Sequence, residues 1–191
     1  MKSLLYWGGI VVLAVVLGLG SAMLVMRTGG MGDDVTIGPW HASLAAGSAS
    51  ADMYTRARVA RFGLLALDKK ETLYYTASTD SAGETLSGSC TYVVTGNDLA
   101  TRWWSVTAYG PDSFLIPNEA GIYSFSKTTV KREADGHYIV RVSANHQEGN
   151  WLPVKLGERF DMTARFYNPD ASVYADPGAA KLPTIVKESC K

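Results

Sequence analysis

Arg102-Trp103-Trp104-Ser105-Val106-Thr107-Ala108-Tyr109 decides the fold class. Trp104, Val106 and Ala108 fall on one side of an extended chain, and Trp103, Ser105, Thr107 and Tyr109 on the other. A period of two with an apolar and a polar side is the mark of a half-buried β-strand. Arg159 to Tyr167 repeats the pattern, with Phe160, Met162, Ala164 and Phe166 opposite Asp161, Thr163, Arg165 and Tyr167. His137 to Ala144 sets Tyr138, Val140, Val142 and Ala144 against Ile139, Arg141 and Ser143. Thr72 to Thr79 and Thr91 to Thr95 read as two further strands. Gly96-Asn97-Asp98, Gly110-Pro111-Asp112, Asp135-Gly136 and Asn168-Pro169-Asp170 bound these runs with turn chemistry. Many short alternating strands predict a mainly β domain, an antiparallel β-sandwich of jelly-roll-like type.

Upstream the period changes to that of a helix. Asp52 can cap a helix running to about Leu67, with Met53, Ala57, Ala60, Leu64 and Leu67 on one face and Arg56, Arg58 and Arg61 off it. Residues 28–50 are rich in Gly, Ala and Ser and read as a linker, with a short docked piece at Val35–Trp40. Before that, Leu4 to Met26 carries no charge. As a helix it would extend roughly 34 Å at ~1.5 Å per residue, enough for a hydrocarbon core of ~30 Å. The expected division is therefore a transmembrane anchor over 1–27, a linker over 28–50 and a helix-plus-sandwich domain over 51–191. The anchor is expected to be retained, because apolar residues run on past Gly20-Ser21-Ala22, the one stretch resembling a cleavage site.

Lys2 precedes the span, and Asp33 and Asp34 follow soon after Arg27, which favours an N-terminus on the cytoplasmic side. The only two cysteines, Cys90 and Cys190, both lie beyond the span. With no histidine pair beside them they do not make a zinc site, and in an oxidising compartment they would close a long loop and pin the C-terminal tail. Both features point to an exported domain.

The 191 residues hold 18 basic and 18 acidic side chains, a balance without the basic excess of a nucleic-acid binder. The chain contains no GxxxxGK[ST] loop, HExxH or GxSxG, and no cofactor or metal is expected. If the two best strands share a sheet, Trp103, Ser105 and Tyr109 meet Arg165 and Tyr167 in an aromatic, hydrogen-bonding patch. Asp112, His146 and Trp151 complete the set of candidate ligand contacts. Such patches suit sugars, peptides or small acids. An enzymatic alternative, hydrolysis of a small or glycan substrate, would draw on His146, Glu148, Asp112 and Arg165. Asn118, Asn150 and Asn168, each beside Pro or Trp, are expected to hold loops.

The blocks Arg102–Asp112, Leu115-Ile116-Pro117-Asn118, Tyr123-Ser124-Phe125, Asn150-Trp151-Leu152-Pro153, Phe160–Pro169 and Leu182–Val186 resemble, in order, the bacterial family known as domain of unknown function 1214. The resemblance covers about Leu67 to Cys190. It implies a jelly-roll-like sandwich, and it implies a place behind a second domain of unknown function, number 1254, in longer chains. Here a membrane helix stands where that domain would be. The resemblance thus implies a stand-alone version at the bacterial inner membrane, its sandwich in the periplasm beside a partner protein. It carries no catalytic residues.

Overall fold

A computed structural model describes residues 2–28, 34–62 and 66–190. Its first helix, α1 (Lys2–Thr28), contains the stretch Tyr6–Met26, long and apolar enough to cross a membrane. The rest is mainly β. Ten strands follow among the described residues: β1 (Asp34–Ile37), β2 (Trp40–Ser43), β3 (Thr72–Ala77), β4 (Cys90–Gly96), β5 (Thr101–Tyr109), β6 (Ser124–Ser126), β7 (Tyr138–Ser143), β8 (Asn150–Pro153), β9 (Asp161–Pro169) and β10 (Thr184–Cys190). Two further helices, α2 (Met53–Phe62) and α3 (Ala171–Ala175), lie between strands.

The strands form a six-stranded sheet in the order β1-β2-β3-β9-β5-β6 and a four-stranded sheet in the order β10-β4-β7-β8. One face of each supplies a common core. From the larger sheet come Leu73, Tyr75, Trp104, Val106, Met162, Ala164 and Phe166; from the smaller come Tyr92, Val94, Tyr138, Val140, Val142, Leu152 and Ile185. The alternation read from β5, β7 and β9 therefore sorts side chains between core and outer face as expected. Trp104 sits at the centre, its ring 5.2 Å from that of Tyr138. Its indole N–H donates to Asp98 at 2.7 Å. Lys127 and Arg132 also reach Asp98, at 3.3 and 3.2 Å. Burial opposes ionisation of this carboxyl, but the indole and the two cations outweigh it and hold its pKa below the usual range.

Several expectations need correction. The segment read as a linker contains β1 and β2, an antiparallel hairpin that extends the larger sheet through β3. Trp40 is the physical reason. Its side chain is buried in the core and its indole N–H donates to the Pro183 carbonyl at 2.8 Å. The sandwich thus includes residues from Asp34 onward and does not begin at 51.

Asp52 does cap α2, accepting from the backbone N–H of Tyr54 and Thr55 at 2.8 and 3.1 Å, and these bonds with that from the Thr55 hydroxyl lower its pKa. The helix is shorter than expected: Ala66–Asp68 are not helical, and Leu64 lies outside the described residues. Its predicted apolar face is not a core face either, since Met53 is 76% exposed and Ala60 is exposed. The two sheets already fill the interior, so α2 rests outside it.

The sandwich is also not wholly antiparallel, because β8 runs parallel to β7 at a sheet edge, where Pro153 costs no ladder bond. Cys90 and Cys190 are joined in a disulfide that fixes the end of β10 to the start of β4. Asn118 and Asn150 hold loops as expected: Asn118 accepts from Ile122 N–H, and Asn150 accepts from Lys131 N–H and donates to Ile139 O. Asn168 shows a different device, a left-handed backbone with φ of 50°.

Candidate functional site

The outer face of the six-stranded sheet is the candidate site. Antiparallel pairing sets Trp103 opposite Tyr167, Ser105 opposite Arg165, Thr107 opposite Thr163, and Tyr109 opposite Asp161. On the other flank of β9, Tyr74 pairs with Arg165 and Thr76 with Thr163. On the other flank of β5, Ser126 pairs with Ser105 and Ser124 with Thr107. Directly opposed side chains lie ~4.5–5.5 Å apart at Cβ, so these rows touch.

The face has a floor and walls. Ser105, Thr107, Ser126 and Thr163 are each less than a tenth exposed although they point away from the core. Short hydroxyl side chains are shielded because taller ones surround them. The Trp103 and Tyr167 rings approach to 5.2 Å at one end of the floor. Towards the other end, the Arg165 guanidinium donates to the Tyr109 hydroxyl at 2.7 Å. Its carbon lies 5.2 Å from the Tyr109 ring centre and 5.9 Å from that of Tyr74. Arginine stacks on aromatic faces and so is held in place by them. Thr76 and Thr163 share a hydroxyl–hydroxyl bond of 3.2 Å across the strands.

Among the described residues, no carboxylate lies within ion-pair reach of Arg165, whereas Lys127 and Arg132 meet Asp98, Arg141 meets Glu188, and Lys187 meets Glu84. A guanidinium has five N–H donors in a planar fork, and the contact to Tyr109 uses one. The remainder match a carboxylate or phosphate in bidentate geometry. Asp161, at the edge of the same face, has its pKa raised by burial.

The structure thus brings together Trp103, Ser105, Tyr109, Arg165 and Tyr167. It does not bring in the other three candidates. The Asp112 carboxylate accepts from Phe114 N–H at 3.0 Å and closes the turn after β5. His146 and Trp151 belong to the smaller sheet's β7–β8 region, with ring centres 4.9 Å apart, and the Trp151 indole N–H donates to Ser143 O. No described hydrogen bond or ion pair joins any two of His146, Glu148, Asp112 and Arg165. Tyr74, Thr76 and Ser126 complete the face and were not singled out in the sequence. The alternation of β3 marks Tyr74 as sharing a side with Thr72 and Thr76. Only the strand order places that side against Arg165.

Residues 71–171 match the model of a family described as "Protein of unknown function (DUF1214)". The matched stretch contains β3, β5, β6 and β9, and with them every residue of the face named above; β1 and β2 lie before it. Among solved structures, the chain is similar to the VPA0106 protein from Vibrio parahaemolyticus, with a TM-score of 0.61 and 29% identity over 73% of this chain and 36% of that one. It is also similar to an uncharacterized protein from Burkholderia cenocepacia, with a TM-score of 0.46 and 16% identity over 75% and 45% of the two chains. The chain therefore covers about a third of the Vibrio protein's length and less than half of the Burkholderia protein's. No curated protein matches.

Proposed function

This chain belongs to the DUF1214 family, and we propose that it is a non-catalytic binding module tethered to the bacterial inner membrane, its sandwich in the periplasm and its larger sheet receiving a carboxylate-bearing group of a partner. The observation that carries this reading is Arg165: a guanidinium set among Tyr74, Tyr109 and hydroxyl groups, with most of its donors turned to no acidic side chain. A cation held on the middle strands of a sheet face loses solvation, and an anion from outside would restore it. Trp103 and Tyr167, one row along, would stack on the apolar part of the same partner. The apolar span and the disulfide support the membrane and the oxidising side. The much greater length of the Vibrio relative is consistent with such a sandwich working beside further protein.

The test is co-purification of the full chain from detergent-solubilised native membranes, wild type against Arg165→Ala and Arg165→Lys. A stoichiometric companion kept by the wild type, lost with alanine and weakened with lysine is expected, because lysine restores charge but not the fork. Recovery of the wild type alone, or equal recovery of the companion with all three, refutes the reading.

A further inference from the structure

We propose that the partner segment received by the larger sheet carries a cation beside its carboxylate, on one side of an extended chain, and that Asp161 takes the cation while Arg165 takes the carboxylate. This rests on the carboxylate reading of Arg165 and supplies the other half of the ligand. The parity of β9 puts both side chains on the outer face, with Thr163 between them. Both are half-buried. Other aspartates of the sandwich are provided for within the chain: Asp80 accepts from the N–H groups of Ala82 and Glu84, and Asp98 accepts from the Trp104 indole. Among the described residues, no hydrogen bond or ion pair reaches the Asp161 carboxylate. Burial alone acts on it and raises its pKa, with no donor or cation to oppose the rise. The face therefore holds one carboxylate and one guanidinium, each without a counter-charge.

The lean of Arg165 makes these two halves of one site. Four residues of strand set their Cα atoms ~13 Å apart. The guanidinium, however, reaches across to the Tyr109 hydroxyl at 2.7 Å, and Tyr109 is the residue opposite Asp161. Its path crosses the row of Thr107 and Thr163, whose short side chains are shielded accordingly. The gap that remains is too wide for the two charges to pair with each other and narrower than the Cα spacing. Same-side neighbours of an extended chain, residues i and i+2, are ~7 Å apart. A strand-like segment with Lys or Arg at one of these positions and Asp or Glu at the other can reach both groups. Charge complementarity favours such a segment over a purely acidic one. An acidic segment alone would bring further negative charge towards Asp161, whereas a dipolar one compensates both half-buried charges at once.

The test titrates blocked peptides into the nitrogen-labelled full chain in detergent micelles and follows the Arg165 side-chain N–H and Thr163 backbone N–H resonances. The probes are Val-Lys-Thr-Glu-Val and its reverse Val-Glu-Thr-Lys-Val, so that either chain direction is offered. The acid-only control has Gln in place of Lys, and the base-only control has Gln in place of Glu. The better dipolar peptide is expected to bind about fivefold more tightly than its acid-only control, as one further ion pair supplies. With Asp161→Asn the dipolar and acid-only peptides should bind alike, and with Arg165→Ala neither should bind. Near-UV circular dichroism confirms that the variants are folded, and the comparison of peptides on the wild type needs no variant. Equal affinity of dipolar and acid-only peptides for the wild type overturns the cation contact and leaves the Arg165 reading intact. A dipolar advantage that survives Asp161→Asn overturns the assignment to Asp161. No shift with any acid-bearing peptide overturns both readings together.

Discussion

Reduction of the Cys90–Cys190 bond offers a stability test with a magnitude that the structure sets. The bond closes a loop with a sequence separation of 100. In the chain-entropy model a loop of that size removes about 4.7 kcal/mol of freedom from the unfolded chain. The native side of the balance moderates this. In β10 only Ile185 is fully buried, while Val186 is 54% exposed and the residues to Cys190 are exposed. Once the bond is cut, residues 187–190 can fray without opening the core, and the native state regains part of the freedom that the unfolded state gains. A net loss of about 3 kcal/mol follows. For a domain of this size, ~2–4 °C per kcal/mol converts that into a fall in Tm of roughly 6–12 °C. The assay is near-UV circular dichroism of the full chain in detergent, which reports the buried Trp40 and Trp104 and does not register the helical backbone of the anchor; Tyr6 and Trp7 in the anchor add a background that the disulfide does not touch. It is run with and without reductant, and on Cys90→Ala/Cys190→Ala. A change below about 2 °C in both the reduced protein and the double variant would refute the reasoning, as would two thiols labelled without reductant.

Other outcomes follow from single contacts. Asp98→Ala should cost about 1–3 kcal/mol, chiefly by leaving the buried Trp104 indole N–H without its acceptor, and urea titration measures it; Asp98→Asn keeps an acceptor and should cost less. Because the folded-state pKa of Asp98 lies below its unfolded value near 3.9, its contribution is present above about pH 4 and is lost as pH falls through the lower folded value, so acid unfolding of Asp98→Asn should show a shallower slope there. Tyr138→Phe removes a hydroxyl that is buried without a hydrogen-bond partner and should raise stability by about 1 kcal/mol, whereas a marked fall in Tm would mean that the hydroxyl is satisfied. Trp40→Ala should cost about 3–5 kcal/mol, as expected of a core residue; a loss under 1 kcal/mol would return residues 34–43 to the status of linker.

What was legible in the sequence was whatever repeats with a period of two over enough residues. In β5 and β9, nine residues each, large apolar side chains alternate with polar ones, and burial followed that pattern. The strands that escaped notice carry too few buried positions to show a period. β6 has three residues, β8 has four and ends in proline, β10 has seven but buries only Ile185, and β1 and β2, where only a docked piece at Val35–Trp40 was expected, have four each. Trp40 and Ala42 commit the hairpin to the core, with Ile37 packed against it, and so few positions show no period. The helix erred in the opposite sense. Its apolar spacing suggested a buried face, but a two-sheet core left no interior for it, and Met53 and Ala60 stay exposed.

The candidate face was half legible for a related reason. Parity along a strand assigned Trp103, Ser105 and Tyr109 to one side of β5, and Arg165 and Tyr167 to one side of β9. Strand order, which no single strand encodes, decided that these sides adjoin and that Tyr74 flanks them. It also decided what surrounds Arg165. Cations elsewhere on the sandwich meet carboxylates, as at Asp98, Glu188 and Glu84, and the fold could have met this one from either adjacent strand. It supplies Ser105 on one side and Tyr74 on the other, with the Tyr109 hydroxyl as the bonded partner. Replacing a carboxylate by rings and hydroxyls keeps the guanidinium oriented while leaving its charge uncancelled. For stability alone that is a poor choice on a sheet face. For capture of an anionic group it is a favourable one, since the incoming anion meets a preset fork and displaces no competing acid.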